Sequence, residues 1–342
     1  MSEGMQVKFY GTRGSLPAPL MAAEVEEKVI KTAEILFGLP EKKEDIPDLI
    51  KQMAFPLRGT YGGDTTCCVV RCGETIIVLD LGSGIRRFGK DVLPEMFKAG
   101  GKTIHFCMSH VHWDHIQGFP FFAPLFIPRK VLPNNKFIFF GGVQWQGALE
   151  EVLRGQMDSP VFPVEWDKVI AEGPMMKFLT IHHGFETKIA HGSNKEDCSS
   201  EAVSLKSLRL HHPNETYGWR IEYQGKIFVF ASDTEPFAGG PDPVILELTQ
   251  NADLLYLDCQ FTREQYLGKA GPPRLGWGHG DDEWCAEVAV QAGVKRLLLG
   301  HHDPAASDEQ IFNIEQKVAK IVREQAVCDV RAAYDGMEVS IS

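Results

Sequence analysis

The sequence predicts an α/β fold whose sheets are covered by helices. Three observations carry that prediction. Short runs rich in Val, Ile and Leu alternate with helical stretches along most of the chain, the pattern of strands buried by flanking helices. Composition is that of a globular protein, with 44% hydrophobic and 24% charged residues in a chain of 342. No apolar run approaches the roughly 18 residues that a membrane span needs. The greasiest stretch, residues 119–128, holds three prolines.

In order along the chain, residues 6–10 read as a short strand stopped by Gly11-Thr12-Arg13-Gly14-Ser15. Residues 24–37 place Val25, Val29, Ile30, Ala33, Leu36 and Phe37 at close to helical spacing, and Gly38-Leu39-Pro40 ends that run. The stretch at about 16–57 is therefore expected to be a helical insertion. Such a length of chain suits a lid at the sheet edge, near a site, or a contact in a homodimer. Tyr61-Gly62-Gly63-Asp64 is a turn, and residues 65–71 and 75–80 look like paired strands around Cys72-Gly73-Glu74. A Gly-rich loop at 81–85 leads into a helix. Strands are expected at 103–108, 137–140, 205–210, 219–223, 226–231, 253–257 and 296–299, and helices at 242–249, 282–292 and 308–325. Asp281-Asp282-Glu283 puts acidic groups at a helix start, where the dipole favours them. With neither repeats nor a low-complexity linker, one domain over 1–342 is expected.

Charge and cysteine usage exclude some classes. Lys and Arg number 35 against 46 Asp and Glu, so the net charge of −11 disfavours a long nucleic acid partner. Eight scattered cysteines form no CxxC pair. With no basic region and apolar core at the N-terminus, they read as reduced thiols of a cytoplasmic protein.

Four apolar runs lead into metal-capable side chains: 104–109 into His110, 227–232 into Asp233, 297–300 into His301, and 208–210 into His211-His212. Sites in open α/β sheets form beyond strand ends, so the four could converge. The densest cluster, His110-Val111-His112-Trp113-Asp114-His115, offers three imidazoles and a carboxylate. Zinc favours that nitrogen and oxygen mixture. One ion cannot easily use all four from a tight loop, whereas two adjacent ions can.

With this HxHxDH cluster the chain resembles the metallo-β-lactamase fold hydrolases, and in particular their cyclic phosphodiesterase and tRNA 3′-processing endonuclease branches. Further motifs follow in order: Gly11-Thr12-Arg13-Gly14-Ser15, Gly62-Gly63-Asp64-Thr65-Thr66-Cys67, Leu79-Asp80-Leu81-Gly82-Ser83-Gly84, His212-Pro213, Ser232-Asp233-Thr234 and Gly300-His301-His302-Asp303-Pro304. The resemblance implies a four-layer αβ/βα sandwich. It also implies one metal site of His110, His112 and His212 and a second of Asp114, His115 and His301, with Asp233 bridging both. His212 is preferred to His211 because Pro follows it and Gly218 lies six residues on. His302 is either substrate-facing or part of a loop. Asp80 reads as an acceptor that orients a ligand histidine, or else as a strand-end turn residue. Two divalent ions are expected, zinc first, with manganese and iron also suiting these ligands. Water between them would become a hydroxide nucleophile.

The substrate is narrowed by His279 in Gly276-Trp277-Gly278-His279-Gly280. It resembles a Gly-His-Ser-Thr motif whose histidine contacts the scissile phosphate and protonates the leaving oxygen, with Gly280-Asp281 in place of Ser-Thr. Catalytic roles are thus expected for His279, Asp233 and Asp114. The expected activity is hydrolysis of a small phosphodiester, a cyclic nucleotide or cyclic sugar phosphate. The alternatives are an RNA 3′-end endonuclease and a thioester or lactone hydrolase of the same fold. Two weaker expectations remain. His182, His183, His191 and Cys198 could form an extra zinc site or be solvated loop, and Arg13, Arg86 and Arg87 could neutralise phosphate or lie on the surface.

Overall fold

The computed structural model describes residues 4–40, 42–142, 149–190, 202–237 and 240–342. In chain order the strands are β1 (Met5–Gly11), β2 (Cys67–Cys72), β3 (Thr75–Leu79), β4 (Thr103–Cys107), β5 (Lys136–Gly141), β6 (Met175–Thr180), β7 (Phe185–Ile189), β8 (Val203–Leu210), β9 (Thr216–Tyr223), β10 (Lys226–Ala231), β11 (Leu254–Asp258), β12 (Arg296–Gly300), β13 (Asp329–Ala332) and β14 (Glu338–Ile341). Among the described residues they form two seven-stranded sheets, ordered β14-β1-β2-β3-β4-β5-β6 and β13-β12-β11-β10-β9-β8-β7. Each sheet is antiparallel in one part and parallel in the other. The parallel runs are β3-β4-β5-β6 and β10-β11-β12-β13.

Burial explains the layers. β3 and β11 are buried at every residue, as strands must be when both faces of a sheet are covered. Phe9, Leu79, Phe140, Trp219, Phe230 and Tyr256 belong to the core between the sheets. A second core packs the helix Ile85–Ala99 through Ile85, Phe88, Val92 and Met96 onto Val78, Ile104 and Phe106. A third packs the helices Pro243–Thr249, Asp282–Gln291 and Asp308–Arg323 onto Val229, Leu255 and Leu297. Helix, sheet, sheet, helix is the expected four-layer αβ/βα sandwich.

Parallel strands within a sheet share one direction, so the ends of β3 and β4 lie side by side, as do those of β10, β11 and β12. The two sets are tied across the sandwich where β4 ends: Trp219 Nε1 donates to the Met108 carbonyl at 2.9 Å, and Tyr217 N to that of Ser109 at 2.9 Å.

Between β1 and β2 lie the helices Ala22–Leu36, Ile46–Gln52 and Phe55–Arg58, none with a buried residue. Lys28 fastens the first of them. Its ammonium donates to the carbonyls of Pro56 (2.7 Å) and Gly59 (2.8 Å) and pairs with buried Asp308. All seven cysteines among the described residues are free thiols.

Candidate metal centre

Six strand ends deliver polar groups to one edge of the sandwich. Asp80 follows β3, Ser109 and His110 follow β4, His212 follows β8, Asp233 follows β10, Asp258 closes β11 and His301 follows β12. The backbone is strained at this edge. Six described residues other than glycine have positive φ, and four are here: Ser15 (60°), Asp80 (62°), Asp233 (53°) and His301 (54°). Such a conformation costs of order 1–3 kcal/mol per residue and persists only where the surroundings impose it. Here it aims side chains from consecutive strands at one point.

Among the described residues the side chains converge in two main groups, and a third, Asp233, His279 and His301, links them. His110, His112, His212 and Asp233 each present a donor atom within 4.8 Å of the others, and so do Asp114, His115 and His301. Asp233 joins the groups: its Oδ2 lies 3.5 Å from His110 Nε2, and its Oδ1 lies 3.1 Å from His115 Nε2 and 3.3 Å from His301 Nδ1. Asp114 Oδ2 lies 3.2 Å from His115 Nε2 and 3.8 Å from His301 Nε2.

The donor set fits divalent metal ions, and orphaned atoms are the test. His110, His115 and His301 each bury an Nε2 with no hydrogen-bond partner. An unsatisfied buried polar atom costs about 1–3 kcal/mol, and three at one point call for a cation. Charge agrees. Burial drives the pKa values of His110, His112 and His212 down, and that of His301 down to about 3, so these four favour the neutral, ligating form. Burial also opposes charge on His115, but Asp114, Asp233 and Asp80 outweigh it and hold its pKa well above the usual value. Three carboxylates around one imidazole demand positive charge.

Each histidine is aimed by its other nitrogen. His115 Nδ1 donates to Asp80 Oδ2 at 2.7 Å, and Asp80 also accepts from Ser109 N and Oγ, both at 2.7 Å. Asp80 is thus an orienting acceptor. His110 Nδ1 meets Ser109 Oγ at 3.0 Å, and His301 Nδ1 meets Thr66 Oγ1 at 3.2 Å. His112 Nε2 meets the side-chain nitrogen Nδ2 of Asn214. His112 Nδ1 is left 3.3 Å from His212 Nε2. His212 Nδ1 donates to the Gly278 carbonyl at 3.0 Å. Its neighbour His211 turns the other way, to the Glu235 carbonyl and onto the Phe237 ring.

Gly278 has φ 89°, and a Cβ there would stand 2.0 Å from His212 Nδ1. Gly278→Ala should therefore displace His212 and weaken metal binding by about 10–100-fold, the usual cost of losing an outer partner. Chelator competition measures this; wild-type affinity in the variant would mean that His212 holds no metal.

His279 lies beside both groups. Its ring stacks on His301 at 5.0 Å between centroids, and its Nδ1 lies 2.8 Å from Asp258 Oδ2 and 3.9 Å from Asp233 Oδ2. Burial opposes its charge, but Asp258 outweighs burial and raises its pKa to about 9. Burial in turn pushes Asp258 up to about 6 against the pull of His279. With Nδ1 held by Asp258, Nε2 is the atom free to face a substrate. The turn that carries His279 hangs on buried Glu235, whose carboxylate accepts from Gly276 N, from Gly278 N at 2.9 Å and from Tyr266 Oη at 2.8 Å.

Asp258, Glu235, Asn214 and Ser15, whose N donates to Asp114 Oδ2 at 2.8 Å, are site residues that sequence reasoning missed. Asp258 carried a signal, an apolar strand ending in a carboxylate as β10 does. Other expected groups do not reach the site. His302 Nε2 donates to the Ala333 carbonyl at 2.9 Å. The Arg13 guanidinium is buried against the carbonyls of Gly62, Asp303 and Ala306. Arg87 pairs with Asp64 at 2.8 Å, and Arg86 is exposed. Among the described residues, His182 and His183 join no group able to hold a metal; His191 and Cys198 lie outside those residues.

A family model described as a Beta-lactamase superfamily domain matches residues 104–302, more than half of the chain. An uncharacterised protein of Mycobacterium tuberculosis is 25% identical over 236 residues, covering 66% of this chain and 72% of its own length. Ribonuclease Z of Porphyromonas gingivalis is 24% identical over 273 residues, covering 71% and 84%. Among solved structures, the metallo-beta-lactamase fold protein YhfI from Bacillus subtilis superposes with a TM-score of 0.60 at 15% identity, covering 99% of this chain and 100% of its own. A diphosphatase of the PhnP family superposes with a TM-score of 0.57 at 15% identity, covering 99% and 98%. At such identities the structural likeness speaks to fold alone.

Proposed function

Because the chain belongs to the Beta-lactamase superfamily of metal-dependent hydrolases, we propose that it is a dinuclear phosphodiesterase acting on a small diester, a cyclic nucleotide or cyclic sugar phosphate. The observation that carries the reading is the His279–Asp258 pair, 2.8 Å apart and stacked against His301. Hydrolysis of a thioester or lactone leaves that pair without a role, whereas an alkoxide leaving phosphorus needs a proton.

His110, His112 and His212 would hold one ion, Asp114, His115 and His301 the other, with Asp233 between them; zinc suits this donor set, and manganese or iron would also fit. Two such ions would activate water and neutralise charge on the phosphoryl oxygens. The chain's own part is positional and acid–base. Asp80, Ser109, Thr66 and Gly278 fix ring orientations, and Ser15 holds Asp114 through its amide. Asp258 keeps the proton of His279 on Nδ1, so Nε2–H is the acid offered to the departing oxygen.

The test is metal analysis followed by a panel of bis-p-nitrophenyl phosphate, a cyclic nucleotide, a thioester and a lactone. Turnover of the diesters with about two ions per chain is expected; turnover of the thioester or lactone alone would overturn the reading. A second reading, an RNA 3′-end endonuclease, is favoured by the likeness to Ribonuclease Z and opposed by the net charge of −11. Cleavage of a tRNA precursor faster than any small diester would establish it.

We propose that the helices between β1 and β2 restrict entry to the site. Their chain leaves at Leu16, directly after Ser15, and returns at Tyr61, whose N donates to Asp308 at 3.0 Å. Replacing residues 16–57 by a short linker should raise activity on bulky diesters relative to small ones. An unchanged ratio in folded, metal-loaded protein would assign them elsewhere, to a dimer contact for example.

A further inference from the structure

Among the described residues, tryptophan exposure divides sharply by position. Trp166, Trp219 and Trp284 are 3%, 0% and 1% exposed, whereas Trp113 and Trp277 are 59% and 53% exposed. Both exposed rings neighbour site histidines: Trp113 follows His112, and Trp277 stands two residues before His279. The two loops meet through His212, which touches His112 with Nε2 and the Gly278 carbonyl with Nδ1. Each is a large apolar surface left open to a ligand beside a polar centre.

Trp277 is also held firmly. The amides on either side of it, Gly276 N and Gly278 N, both donate to buried Glu235, and its own N donates to the Arg274 carbonyl at 3.1 Å. The Arg274 guanidinium lies 4.5 Å from the Trp277 ring centroid and 5.6 Å from that of Phe261. Phe261 in turn sits 6.4 Å from Trp277 and 6.1 Å from His279. Cation, indole, phenyl and imidazole thus form a continuous run from the rim to the catalytic histidine. An exposed aromatic fixed in advance loses little entropy when a flat partner settles on it.

We infer that Trp277 is the stacking platform for the base of a nucleoside phosphodiester, so that the substrate is a cyclic nucleotide rather than a base-free sugar phosphate. The inference rests on the phosphodiester reading and narrows it. Every nucleobase has a π-face for the open side of the indole, while Arg274 backs the ring. The phosphate would then lie toward His279 along the run through Phe261.

The test compares a purine 3′,5′-cyclic nucleotide with a base-free cyclic ribose phosphate in metal-loaded wild type, Trp277→Ala and Trp277→Phe. Stacking on one aromatic predicts that Trp277→Ala weakens the nucleotide by about 5–100-fold more than the base-free diester, in KM and in the dissociation constant by calorimetry. Trp277→Phe should restore most of the loss. Equal losses on both ligands, or none, overturn the platform. If no diester is turned over, the phosphodiesterase reading fails, but the calorimetric difference still decides whether a base stacks. A short oligoribonucleotide run alongside tells a free nucleotide from an RNA end as the source of the base; dependence on Trp277 in either supports the platform.

Discussion

Asp233→Ala should reduce the metal content from about two ions per chain to below one. The reason is geometric. Asp233 offers a carboxylate oxygen to each donor group, with Oδ2 toward His110 and Oδ1 toward His115 and His301. Removing any other ligand leaves one group whole. Removing Asp233 takes the shared carboxylate from both and leaves His115 with less of the negative charge that surrounds it. Activity should fall by more than the roughly 10–100-fold that follows loss of an outer partner. Emission spectrometry on dialysed protein measures the stoichiometry, and circular dichroism confirms that the variant is folded. Asp258→Asn is the control: it also removes a buried charge but should retain both ions. Two tightly bound ions in Asp233→Ala would sink the bridging role.

How legible the site was in sequence depended on how its residues are spread. His110, His112, Asp114 and His115 fall within six residues, so chemistry and spacing are visible together. Asp233 and His301 could be found because each ends an apolar run. Asp258 ends one too, but it is a single carboxylate with no polar neighbour of like kind, and only its 2.8 Å contact with His279 gives it meaning. Glu235 is harder still. It serves backbone amides forty residues away in the chain, and side chain to backbone contacts leave no pattern in spacing. The choice between His211 and His212 turned on Pro213 and Gly218; in the structure His211 faces Phe237 and His212 faces His112.

The fold shows a related contrast. The strands at 6–10, 65–71, 75–80 and 103–108 were readable because most of their residues are buried and apolar. β6, β7, β13 and β14 were not, and these four are the outer strands of the two sheets. Each has a neighbour on one side only. β6 and β7 are half-exposed throughout, and β13 and β14 are four residues long. Short, polar edge strands protect a sheet from further pairing, and in β7, β13 and β14 the same property removes the hydrophobic signal by which a strand is recognised.

His279→Ala should separate substrates by their leaving groups. A p-nitrophenolate departs as a stable anion and needs little help. An alkoxide from a ribose ring is strongly basic and needs a proton as the bond to phosphorus breaks. General acid help is worth typically 10²–10⁴-fold, so the variant should lose about that much on a cyclic nucleotide and far less on bis-p-nitrophenyl phosphate. Both ions should remain if they are held as proposed, by His110, His112 and His212 and by Asp114, His115 and His301 with Asp233 between them. Asp258→Asn should reproduce the same selectivity more weakly. It removes the carboxylate that fixes the proton on Nδ1 and raises the pKa of the ring to about 9 but leaves the imidazole in place. Equal losses on the two substrates would make His279 a group that positions phosphate. No loss on either would return it to a structural turn residue, and thioesters would then stand level with phosphodiesters as the substrate class.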